Sequence, residues 1–256
     1  MRQVWVYTRY YFKLPNMKNL FIILLVLIAS QFSFAQSDEV TIKKSVSKIS
    51  EFVPNGWKII TQAKGDLNKD RLEDVALVIE NTDPKNFIID KERWGGDTIN
   101  VNQRYLLVAF KKSNGTFELV VKNTKFIPSE NSKESPCLMD PFGQEGGIEI
   151  AKGVLQIHFQ NFYSCGAWEI YNFDYTFRFQ NQKFELIGYN KFSMHRSSGE
   201  ETSTTMNFST MKMNYTSGTN TFKDGGKPKT IWKNIQPKNL LELNSITEEA
   251  IDQFNY

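Results

Sequence analysis

Histidine and cysteine are scarce in this chain, with two of each among 256 residues. His158 and His195 stand alone, without the neighbouring ligands that a zinc site of the usual His/Cys kind needs. Two cysteines allow one disulfide and exclude a multiply bridged scaffold. No phosphate-cradling glycine loop precedes a helix, which removes the common nucleotide-binding signatures. Long apolar runs are missing too. The longest, Leu20 to Ala29, falls well short of the roughly 20 residues a membrane helix requires.

That short run has a context. Lys18 and Asn19 precede it, and Ser33-Phe34-Ala35 follows as a small-x-small cleavage site. A basic flank, an apolar core and a small-residue exit make a secretory signal peptide over residues 1–35, with Met17 as the expected start. An uncleaved N-terminal anchor is the alternative. Residues 1–35 hold Arg2, Arg9, Lys13 and Lys18 and no acid, so removing four positive charges from a net +3 leaves −1. A near-neutral mature chain, residues 36–256, has no electrostatic footprint for nucleic acid. It is expected in the periplasm or outside the cell, without a membrane span once the signal is removed. Cys137 and Cys165 both lie in the exported part. In an oxidising compartment they are expected to pair, which stabilises by about 3–4 kcal/mol for a loop of this length. Two buried thiols are the alternative.

From Ser37 to Phe52, Ile42, Val46, Ile49 and Phe52 recur at helical spacing ahead of Pro54-Asn55-Gly56, which predicts a short N-terminal helix. Beyond it, short runs rich in Phe, Tyr, Val and Ile alternate with turn residues, the pattern of antiparallel strands. Strands are expected over residues 57–62, 74–80, 104–111, 116–122, 147–150, 154–160, 168–180, 183–191, 203–208 and 212–215. A short extended piece and a C-terminal helix opening near Ser245 complete the reading. Two hairpins share a Phe-Glu-Leu-aliphatic return, Phe117 to Val120 and Phe184 to Ile187. Either a blade-like repeat or any half-buried hairpin gives that pattern. The fold class is mainly β, in one domain, as an antiparallel hairpin meander or an incomplete propeller-like assembly. The stretches 81–102 and 128–146 are long and polar for hairpin connections.

One loop carries distinctive chemistry. Asp66, Asn68, Asp70 and Asp74 occupy positions one, three, five and nine, and the Leu72 carbonyl stands at seven. Hard oxygens at alternate positions suit Ca²⁺. Position twelve is Leu77 rather than the bidentate Glu of an EF-hand, and the apolar run 75–79 makes this a strand–loop–strand site. The alternative is an Asx-turn loop whose side chains cap backbone N–H groups. Gly65-Asp66-Leu67-Asn68-Lys69-Asp70 followed by Asp74-Val75-Ala76 resembles the calcium loop of FG-GAP and VCBS-type repeats, the blades of β-propellers in integrin α-chains. Those repeats carry Gly at position six, where this chain has Arg71. Together with residues 52–57, 168–181 and 184–189, the loop also resembles an uncharacterised family of exported bacterial proteins of Bacteroidetes type. That resemblance implies a shared fold and brings no activity. A calcium ion here would be structural.

Other constellations have plainer readings. Asp140, Glu145, Glu149, Glu169 and Asp174 are carboxylates for a glycosidase-like pair, but no spacing fixes two of them together. Ser164-Cys165-Gly166 and Ser197-Ser198-Gly199, the latter near His195, lack the strand-to-helix elbow of a catalytic serine. Rings at every second residue from Tyr171 to Phe179 mark a strand with one buried face. Trp94 and Tyr163, in expected loops, are the candidate surface rings. The function expected is that of an exported, non-enzymatic binding or interaction protein with a protein or glycan partner. A hydrolase acting on glycans or cell-wall material is the alternative.

Overall fold

The computed structural model describes residues 39–89, 98–135, 137–143, 146–223 and 226–247. Residues from Thr41 onward form one compact unit. The signal segment, Trp94, Glu145 and the chain beyond residue 247 lie outside the described residues.

Alternating apolar residues build two open antiparallel sheets. The first contains β1 (Ser45–Val46), β2 (Trp57–Gly65), β3 (Asp74–Asn81), β6 (Arg104–Lys111) and β7 (Phe117–Asn123), in the order β1-β7-β6-β3-β2. A short pair, β4 (Phe87–Ile89) with β5 (Thr98–Asn100), stands apart within a stretch where no strand is expected from the sequence. The second sheet is a continuous meander of β8 (Gly147–Ala151), β9 (Val154–Phe162), β10 (Glu169–Gln180), β11 (Lys183–His195), β12 (Glu200–Asn207), β13 (Lys212–Asn220) and β14 (Lys229–Asn234). Its tight hairpins follow from local chemistry. Asn181 and Gln182 both take positive φ between β10 and β11 (52° and 61°), the backbone that a two-residue hairpin turn demands.

The sheets share one core instead of forming blades. Ala76, Val78, Leu106 and Val108 on one side join Leu155, Ile157, Phe177 and Leu186 on the other. The two similar hairpins face each other across it: Phe110 meets Phe179 edge-on at 4.9 Å and Phe184 at 5.9 Å. Their likeness is that of two half-buried hairpins contributing rings to the same interior. At one edge the sheets approach so closely that a Cβ on Gly65 would lie 2.6 Å from the Ile150 Cγ2.

The N-terminal helix expected over 37–52 is not what the described residues form. Ser45–Val46 pairs with β7, and only Ile49–Phe52 makes a single 3-10 turn. Ile42, Val46 and Phe52 are buried without joining the shared core, as are Val75, Leu77 and Ile79 on the opposite face of β3. The segment therefore covers that face, and its apolar spacing served burial against a sheet. Residues 245–247 are likewise non-helical.

Candidate functional site

The Asp66–Asp74 loop folds as a strand–loop–strand connection between β2 and β3, as its sequence implies. Every side-chain oxygen of Asp66, Asn68, Asp70 and Asp74 accepts an N–H. Asp66 takes those of Lys69 (2.7 Å) and Arg71 (2.9 Å), and Asn68 takes that of Asp70 (2.9 Å). Asp70 accepts from the Leu72 N–H (2.8 Å) and the Asn68 amide (3.0 Å). Asp74 is fully buried and accepts from the Leu67 N–H (2.8 Å) and the Lys111 N–H (3.0 Å), tying the loop to β6. Burial pushes the Asp74 carboxyl above its ordinary value, against the pull of those N–H groups. Lys69 and Arg71 both adopt left-handed backbone (φ 66° and 70°), so Arg71 takes the conformation for which the resembling repeats use Gly. Among the described residues no three His, Cys, Asp or Glu side chains converge as a metal cage. The donor set is hard oxygen throughout, and each oxygen keeps a second lone pair beyond the one facing its N–H.

A second polar centre was not foreseen from the sequence. Lys58, Glu80 and Arg104 stand in register across β2, β3 and β6. Arg104 Nε donates to Glu80 (2.7 Å), while its two terminal nitrogens grip Asp140 from the 137–143 loop at 2.7 and 2.9 Å. Lys58 reaches the other Glu80 oxygen at 2.9 Å. Burial pushes the Glu80 carboxyl up, but Lys58 and Arg104 more than offset it and hold it below the usual carboxylate range. Burial likewise works against the Arg104 guanidinium, and Asp140 and Glu80 raise it above its ordinary value. Two polar clefts flank Arg104. One of about 370 Å³ is lined by Lys58, Thr61, Glu80 and Asp140, and one of about 560 Å³ by Asn86, Gln103, Lys125 and Lys133. Lys58 and Arg104 neutralise the buried Glu80, and Arg104 also grips the half-buried Asp140, so this cluster works as a clamp, joining the smaller sheet to the loop that carries Cys137.

The remaining acids are dispersed. Glu169 accepts the Tyr171 hydroxyl, a bond that with burial pushes the phenol up to about 12. Asp174 bonds His158 Nδ1 at 2.7 Å on the outer face of the larger sheet, and this bond raises the imidazole above its ordinary value despite partial burial. His195 ends β11, with the hydroxyls of Ser197 (3.3 Å) and Ser198 (3.1 Å) from the following turn on its Nδ1 and its ring stacked on Trp168. No carboxylate is among its partners in the described residues. Cys137 and Cys165 are bonded, with Cα atoms 5.5 Å apart, and staple the 137–139 loop to the end of β9 beside the Leu138–Tyr163 bridge. Tyr163 is half-buried there, whereas Trp168 is 61 % exposed and is the better surface ring.

That outer face spans the strands of the larger sheet. Side chains alternate across a strand, so the residues opposite the core line up in register. One row runs Trp232, Asn214, Thr205, Asn190, Asp174 and His158 across β14 to β9. The next runs Thr230, Thr216, Ser203, Phe192, Asn172 and Gln160. Within it Thr216 bonds Thr230 at 2.9 Å and Gln160 bonds Asn172 at 3.1 Å. Neither row is interrupted by a register shift; the two bulges lie between Thr176 and Phe177 and between Glu201 and Thr202. Comparison of the chain with protein-family models, with curated proteins and with solved structures gave no match.

Proposed function

We propose that the protein is an exported, non-enzymatic binding protein whose ligand surface is the outer face of the seven-stranded sheet. The observation that carries this reading is the pair of in-register rows, mostly amides and hydroxyls with Phe192 and the Asp174–His158 pair among them, one row ending in the exposed Trp232. The acids support it from the other side. Glu80 and Asp140 are held by Arg104, Glu169 by Tyr171 and Asp174 by His158, so each described acid that a hydrolase would draw on, apart from Glu149, has a partner already. The test is retention of the purified protein on immobilised bacterial envelope polysaccharide and on envelope protein, for wild type and for N172K/N190K. Retention of either fraction that the double variant loses is expected. Equal retention by both proteins, or release of soluble sugar from the matrix, sinks the reading, and the second result restores the hydrolase.

Calcium belongs to the proposal as a structural ion. The Asp66, Asn68, Asp70 and Asp74 side chains and the Leu72 carbonyl would supply the oxygens, and the ion would offset the repulsion of Asp70 on Asp74. An extracellular-type site binds with a Kd of about 10⁻⁴–10⁻³ M. At 10 to 100 times Kd such a site adds about 1.4–2.7 kcal/mol, a rise of several degrees in Tm for a domain of this size. Melts in CaCl₂ and in EGTA decide it. Identical curves show that the N–H groups alone hold the loop.

A further inference from the structure

We infer that the ligand of the outer face is an uncharged polysaccharide, its chain lying across the strands along the row from Trp232 to His158. This rests on the binding reading above and names the chemistry of its ligand. Charge is the first argument. Along the two central rows the only ionisable side chains are Asp174 and His158, bonded to each other. A nucleic acid or acidic glycan requires cations that these rows do not carry. A protein partner's footprint is marked by Arg, Met and aromatic anchors around an apolar centre, and the centre here is Asn190, Thr205, Asn172 and Ser203 around a single half-buried ring, Phe192.

Side-chain chemistry is the second argument. An amide offers donors and acceptors together, and a hydroxyl does the same, so a row of them can pair with sugar hydroxyls in either sense. Asparagine is disfavoured in strands, yet Asn172, Asn190 and Asn214 stand on β10, β11 and β13 of this face, where threonine would keep it wet without that cost. Spacing is the third. Neighbouring strands are about 4.7–4.9 Å apart, close to the length of one pyranose ring in an extended chain, so successive strands meet successive sugars. Trp232, 64 % exposed at the end of the row, supplies a flat ring for the C–H face of a terminal unit.

Native gels containing xyloglucan, galactomannan, mixed-linkage β-glucan or alginate test the inference on the purified protein. Retardation is expected in at least one neutral gel, with affinity about tenfold weaker for W232A and for N172K/N190K. Pull-down on the same polysaccharide should persist in about 0.5 M NaCl, where charge attraction is screened beyond a few Å. Unchanged circular dichroism and Tm of the variants would place the loss at the surface. Retardation by alginate alone, salt-sensitive retention, or retardation indifferent to both variants overturns the inference. No retardation in any neutral gel, with envelope protein still retained through Asn172 and Asn190, overturns the glycan and leaves the binding surface standing. Loss of both ends the two readings together.

Discussion

Arg104 gathers Glu80, Asp140 and the Pro128 carbonyl around one guanidinium, and its loss should be felt accordingly. With the guanidinium gone, Glu80 keeps Lys58, which is half in solvent, and a long bond from the Asn100 amide (3.4 Å), so its remaining cation is a poorly buried one. Removing one partner of a buried ion pair costs about 3–5 kcal/mol, whereas replacing both by apolar side chains is often neutral. Urea denaturation should therefore show R104M destabilised on that scale and E80M/R104M less so. An R104M protein within about 1 kcal/mol of wild type would remove the clamp from the account. The pH dependence has a definite sign. Glu80 is depressed on folding, so its contribution is present above the unfolded carboxylate value near 4.5 and is lost as pH falls through the lower folded one. His158 runs the other way. Raised by Asp174, it stabilises fully below its unfolded value near 6.5 and loses that contribution as pH rises through the folded one. In D174N the imidazole should titrate at lower pH, which the His158 ring resonance reports directly. An unmoved resonance midpoint would deny the pair any electrostatic weight.

At the scale of elements, the disulfide is the clearest lever. It holds a loop whose Asp140 must reach Arg104, and the chain between its ends spans β8 and β9. A C137S/C165S protein should lose about 3–4 kcal/mol in denaturant unfolding, with Asp140 freed to swing from Arg104. Much of the element order was legible beforehand. β6 shows at Arg104–Lys111 because a continuous apolar run is bounded by polar residues, and β10 because its rings recur every second position. The segment 41–52 misled because Ile42, Val46, Ile49 and Phe52 satisfy helical periodicity and also bury well against a sheet. The charged clamp was invisible because Glu80, Arg104 and Asp140 are separated by 24 and 36 residues, and nothing local announces register. The outer face failed for the same reason: Trp232 and His158 become the two ends of one row only once six strands are aligned. The Asp66 loop was legible in its residues and not in its bonding, since Asx turns and calcium loops draw on the same side chains.

For the molecule as a whole, the tail is the part that finishes the structure. Asn123, buried at the end of β7, donates its amide to the carbonyls of Leu243 (2.7 Å) and Ile246 (2.8 Å), and its oxygen accepts the N–H groups of Lys125 and Phe126, both at 2.8 Å. Leu243 and Ile246 are themselves core residues. Truncation after residue 240 strips two apolar side chains from the interior and orphans a buried donor, which costs about 1–3 kcal/mol for the amide alone. The shortened chain should show a broadened, low-temperature transition, or none, by calorimetry; a sharp wild-type melt would make the tail dispensable. The same bond has a consequence in time. A chain emerging from its N-terminus can pair its hairpins one after another, yet cannot seal its interior until Leu243 and Ile246 arrive, and the amide of Asn123 is the knot that waits for them across more than a hundred residues.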